Sequence, residues 1–154
     1  FDISRLKFHR VIIATDADVD GLHIQCLLLT LFYQEFSDLI ERGHVFIACP
    51  PLYSVKYKGK VTWLLDDEAR IQFLNARPDA QDVEFKRFKG LGEMNAKELR
   101  ETMFDPPRRT LKRVTMEDGV LAAKLVGELM EDENAEARRT FLAEHARKIK
   151  ELDV

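Results

Sequence analysis

The chain has 154 residues, 45% of them hydrophobic, with 24 Lys and Arg against 27 Asp and Glu for a net charge of −3. That length and apolar content bury one sizeable core. The near-balanced charge excludes a globally basic nucleic-acid binder, so any such surface is a local patch. No uncharged apolar run reaches the ~18 residues that cross a bilayer, and no signal peptide opens the chain. Cys26 and Cys49 lie in apolar runs without metal-ligand spacing, which reads as buried thiols in a reducing, cytoplasmic setting.

Phe1-Asp2-Ile3-Ser4 begins without a methionine, as a piece of a longer polypeptide would. Val11 to Thr15 is rich in β-branched residues and reads as a buried strand. Gly21 allows a tight turn, and Leu22 to Phe36 then reads as a helix apolar around most of its circumference, with Gly43 as C-cap. Val45 to Ala48 is a second buried strand, making a parallel strand–helix–strand unit.

Pro50-Pro51 forces an extended stop. Leu52 to Val55 and Lys60 to Leu64 read as a hairpin around Lys58-Gly59, and Asp66-Asp67-Glu68 opens a short helix to about Asn75. Val83 to Phe88 alternates as a half-exposed strand. Lys89 to Asn95 is a glycine-bearing turn before a helix over Ala96 to Met103, which Asp105-Pro106-Pro107 ends. Leu111 to Val114 reads as a strand, and Met116 to Met130 and Ala135 to Ile149 as amphipathic helices. The expected fold is thus α/β over 1–95, with a mostly helical tail over 96–154.

Asp16, Asp18 and Asp20 stand at alternate positions directly after the first strand. In an extended chain they share one face, where three carboxylates repel unless a cation lies among them. Oxygen-only donors favour Mg²⁺, with Ca²⁺ or Mn²⁺ as substitutes. An EF-hand loop needs an acid at its twelfth position, which here is Leu27, and a helix before it rather than a strand. A haloacid-dehalogenase-type phosphatase is an alternative, because Asp18-Val19-Asp20-Gly21 after a strand resembles its nucleophile loop, although no downstream Gly-Asp completes it. An acidic solvated turn or helix cap is the bland alternative.

Lys86, Arg87 and Lys89 cluster positive charge, Gly90 and Gly92 permit close backbone approach to a phosphate, and Asn95 suits a helix N-cap. His23 follows Asp20 by three residues. Tyr33 and Tyr53 read as packing residues, and Arg108, Arg109, Lys112 and Arg113 as a solvated basic run, with DNA contact as the alternative.

Thr15 to Gly21 with His23 resembles the Asp-x-Asp-x-Asp-Gly motif of the TOPRIM domain. Pro50-Pro51-Leu52-Tyr53, Arg87 to Asn95 and the terminal Leu152-Asp153-Val154 agree in order and spacing with the B subunits of bacterial type IIA DNA topoisomerases, gyrase and topoisomerase IV alike. The resemblance covers essentially the whole chain. It implies a partial TOPRIM domain, a Rossmann-like parallel sheet with flanking helices, followed by the helical carboxyl-terminal tail. It implies Mg²⁺ on Asp16, Asp18 and Asp20, and DNA or partner contact by His23, Lys86, Arg87, Lys89, Gly90, Gly92 and Asn95.

The acid/base glutamate of the family's Glu-Gly-Asp loop and its sheet strand belong upstream, the attacking tyrosine to the A subunit, and ATP to amino-terminal domains. The expected assembly is an A2B2 heterotetramer that cleaves and reseals double-stranded DNA and alters its supercoiling, with this piece inactive alone. A non-catalytic module that docks DNA and the A subunit is the alternative.

Overall fold

A computed structural model describes residues 2–80, 82–117, 119–130 and 132–146, the backbone alone for 119–122 and 132. Strand β1 (Val11–Ile13) leads through an irregular segment to α1 (Val19–Glu35), then α2 (Ser37–Glu41) and β2 (Val45–Ala48). β1 and β2 pair in parallel, Val11 opposite Val45 and Ile13 opposite Ile47, as the strand–helix–strand pattern predicts. The predicted single helix up to Gly43 is two helices. The chain breaks at Phe36 (φ −137°, ψ 38°), whose N–H still reaches the Phe32 carbonyl while Leu39 restarts the winding on the Phe36 carbonyl. Gly43 has φ 76°, a left-handed conformation that favours glycine, and the Arg113 guanidinium packs where a Cβ would stand.

The hairpin is β3 (Tyr53–Tyr57) and β4 (Lys60–Leu64). Lys58 (φ 48°) and Gly59 (φ 77°) form its two-residue turn, both in the positive-φ region that the I′ geometry needs. Helix α3 (Asp67–Asn75) is capped by Asp66, whose side chain accepts from the Ala69 N–H at 2.8 Å. Strand β5 (Phe85–Arg87) pairs with β3, giving the sheet order β4-β3-β5, antiparallel throughout. Its core is Tyr53, Val55, Leu64, Phe73 and Ala80. The Phe73 ring meets Tyr57 and Phe85 edge-on at 5.8 and 6.0 Å. Full burial of such a side chain stabilises by about 1.5–3 kcal/mol.

Helix α4 (Ala96–Leu99) continues as a π-helical turn over Arg100–Phe104, and β6 (Leu111–Arg113) follows. β6 lies past residue 95, yet it pairs antiparallel with β2, so the first sheet runs β1-β2-β6 and is mixed rather than wholly parallel. Its core is Ile13, Leu39, Ile40 and Val45, with Phe32, Tyr33 and Val114 packed against it. The outer edge of β1 has no partner strand among the described residues. Helices α5 (Gly119–Met130) and α6 (Ala135–His145) form the tail. The Leu152-Asp153-Val154 ending and the end of the helix predicted to Ile149 lie outside the described residues.

Two expectations of burial fail. Helix α1 is enclosed on one side only, because Ile24, Leu27 and Leu31 form an exposed stripe one and two turns apart, 46–50% accessible. Cys26 is exposed and Cys49 half-buried, because Cys26 lies off the core-facing stripe of α1 and Cys49 follows the end of β2. No helix among the described residues is long and apolar enough to cross a membrane.

Candidate functional site

β1 ends at Ile13, and the segment after it carries Asp16 and Asp18. Asp18 is extended (φ −99°, ψ 178°) and caps α1, its Oδ1 accepting from the Gly21 N–H at 2.7 Å. Asp20 is therefore already helical, in the first turn of α1, where a negative charge suits the helix N-terminus. The alternate-position argument therefore fails for Asp20, which the helix rotates by about 100° per residue, and the segment that carries Asp16 and Asp18 is bent and not a strand. Gly21 is not a turn residue but a buried helical one, packed on the backbone of Asp16. A strand before this loop and a helix directly after Asp18 also exclude the EF-hand arrangement.

Asp16 makes the longest-range contact of the site. Its Oδ1 accepts the backbone N–H of Leu91 at 2.7 Å, across 75 residues. The aspartate segment, the diproline segment and the glycine-bearing turn meet there, with Thr15 and Ala17, Pro51 and Leu52, and Gly90 and Leu91 lining one small cleft. The Phe88 N–H donates to the Leu52 carbonyl at 2.8 Å and joins the last two.

Most amides of the Lys89–Asn95 turn find acceptors within the protein. Lys89 N–H donates to Glu93 Oε2 at 2.9 Å, Glu93 N–H to the Gly90 carbonyl and Met94 N–H to the Leu91 carbonyl, both at 3.2 Å. Asn95 caps α4 in a reciprocal box: its Oδ1 accepts from the Lys97 and Glu98 amides at 3.0 Å, and Glu98 Oε2 accepts from the Asn95 amide at 2.8 Å. These amides hold protein carboxylates and carbonyls, and the close approach at Gly90 is to the carboxyl of Asp16. The Glu98 half of the box was readable from Asn95-x-x-Glu98. The Leu91 amide has no side-chain signature.

Lys86 pairs with Glu98 at 3.3 Å and lies over the Phe88 ring. Arg87 and Lys89 are exposed on the same segment, and His23 is exposed on α1 one turn after Asp20. Tyr53 is buried, and its hydroxyl donates to Asp67 at 2.7 Å. That bond holds the phenol above its ordinary range, which keeps it protonated and suits packing, not nucleophilic attack. Arg108 of the basic run is tied to Glu101 and Asp105.

No three described His, Cys, Asp or Glu side chains gather closely enough to hold an ion among them. Mg²⁺ does not require three, because it keeps several waters and takes one or two carboxylates together with substrate phosphate. Asp16 and Asp18 each engage one oxygen in the fold, and their oxygen-only chemistry fits that ion.

Residues 1–50 match the family model of the Toprim domain, so the parallel strands and the acidic segment between them are those of a Toprim protein. Residues 80–143 match a second model, described as the DNA gyrase B subunit, carboxyl terminus. The whole chain is 50% identical to the DNA gyrase B subunit of Thermus thermophilus, 45% to that of Halalkalibacterium halodurans and 44% to that of Thermotoga maritima. It spans 24% of the length of each of these relatives. The chain belongs to the B-subunit family of bacterial type IIA DNA topoisomerases.

Proposed function

We propose that this chain supplies the Mg²⁺-holding and DNA-contacting surface of a gyrase-type topoisomerase, which passes DNA through a double-strand break using ATP held by other domains of the full-length protein. Asp16 and Asp18 hold the ion through their second oxygens, with Asp20 adding negative charge beside them. When bound, Mg²⁺ stabilises charge on the oxygens that attack and leave the scissile phosphate. Arg87 and Lys89, with Lys86 behind them, attract and align the DNA backbone next to that ion. The tyrosine comes from the partner A subunit, and an acid/base glutamate from outside this chain, so the piece alone is inactive.

The observation that carries this reading is the Asp16–Leu91 hydrogen bond, which sets the acidic segment against the basic turn. The test is Mg²⁺-dependent DNA cleavage by the full-length protein assembled with its A subunit. Asp16→Ala combined with Asp18→Ala should lower the cleavage rate by at least about a hundredfold, the scale of losing one strong electrostatic contact to the transition state. Intact cleavage would sink the catalytic reading and leave the docking module in its place.

A further inference from the structure

The turn beside Asp16 is held at both ends. Phe88, 3% accessible, anchors its start and Met94, 6% accessible, its finish. Between them Glu93 closes back on the Lys89 amide and the Gly90 carbonyl. Gly90 and Leu91 are thus fixed points on a stiff support, and what they touch is the carboxyl of Asp16.

The two glycines of the turn differ in what surrounds them. A Cβ on Gly92 would meet nothing within 4 Å. A Cβ on Gly90 would lie 3.1 Å from Asp16 Cγ and Oδ1 and 3.4 Å from Oδ2. The Gly90 backbone is extended (φ −148°, ψ 164°), a conformation open to any residue, so its lack of a side chain serves space and not flexibility. An exposed aspartate otherwise samples several rotamers, and a charge-assisted N–H bond to Oδ1 selects one.

We propose that Gly90 and the Leu91 amide form a positioning clamp that fixes the Asp16 carboxylate, with Oδ1 held by the protein and Oδ2 directed to the metal. This rests on the reading of Asp16 as a Mg²⁺ ligand. The glycine-bearing turn then acts through Asp16, in addition to any contact its cations make with DNA.

The experiment uses the full-length protein, with Mn²⁺ binding followed by electron paramagnetic resonance and Leu91 amide hydrogen exchange followed without metal. Gly90→Ala should weaken Mn²⁺ binding roughly tenfold, the lower end of what losing an orienting partner of a metal ligand costs, and should accelerate Leu91 exchange. Gly92→Ala should leave both unchanged. Leu91→Pro deletes the donor at the first position of a 3-10 turn, where proline fits after an extended residue. It should weaken Mn²⁺ binding comparably, which guards against a folding defect peculiar to Gly90→Ala.

In an Asp16→Asn background, Gly90→Ala should cause no further loss, because the clamp has nothing left to position. Mn²⁺ affinity within twofold of wild type for Gly90→Ala, or an equal loss with Asp16 already replaced, overturns the clamp while the metal reading stands. If Asp16→Asn alone leaves Mn²⁺ affinity unchanged, the metal reading falls and the clamp with it.

Discussion

Gly21→Ala sets two opposing effects against each other inside α1. On an open helix this substitution stabilises by about 0.8–1 kcal/mol. Here the added methyl carbon would lie 2.8 Å from the carbonyl carbon of Asp16 and 2.9 Å from its nitrogen. Carbon atoms pack comfortably at about 3.5 Å or more, and the carbonyl oxygen of Asp16 would lie nearer still, so the start of α1 must retreat by about 1 Å from backbone that has no rotamer to adjust. Overpacking of this kind costs about 1–3 kcal/mol.

The retreat also stretches the 2.7 Å bond from the Gly21 N–H to Asp18, a cap worth about 1 kcal/mol. The sum is a net destabilisation of about 1–3 kcal/mol, read by native-state hydrogen exchange at the α1 amides of the full-length protein. A neutral or stabilising Gly21→Ala, with exchange at positions 21 and 22 unchanged, would refute the account of that glycine and of how Asp16 and Asp18 are held.

Asn95→Ala removes the cap of α4 and should cost about 1 kcal/mol, with faster exchange at the Lys97 and Glu98 amides. Asn95→Ser should restore most of that loss, whereas a side chain needed only for DNA contact would leave exchange untouched in both variants. Acid should open the hairpin latch in which Tyr57 and Lys58 donate to Asp79. The Tyr57 hydroxyl and then Lys58 hold the Asp79 carboxyl below its ordinary range. The stabilisation is therefore present above the unfolded carboxylate value of about 3.9 and is lost as pH falls through the lower folded value. NMR titration of the Lys58 and Gly59 amides should show this step, and Asp79→Asn should abolish it.

Elements governed by neighbouring residues were legible in the sequence. Lys58-Gly59 dictates its own turn, Asp66 its helix start, and Val11 to Ile13 and Val45 to Ala48 their parallel pairing. The break at Phe36 carries no glycine or proline, and arises where the Phe36 side chain packs against the core. A period of two does not reach Asp20, because Asp18 caps the segment into a helix before it. The exposed stripe of α1 has the same composition as its buried side, so only tertiary structure distinguishes Ile24 and Leu27 from Leu28 and Phe32. The meeting of the acidic and basic segments is not marked in the sequence. Its physical means is a main-chain donor at Leu91, which composition does not mark.

The 75-residue interval between Asp16 and the Leu91 amide has a consequence in time. On a ribosome adding about 5–20 residues per second, the aspartate emerges roughly 4–15 s before its partner exists. Through that interval the Asp16 carboxylate lacks its Leu91 donor, and closing so long a loop is slow compared with forming the hairpin it encloses. The hairpin sheet therefore folds first and carries Leu91 to the aspartate as β5 settles, before β6 joins β2 to complete the first sheet.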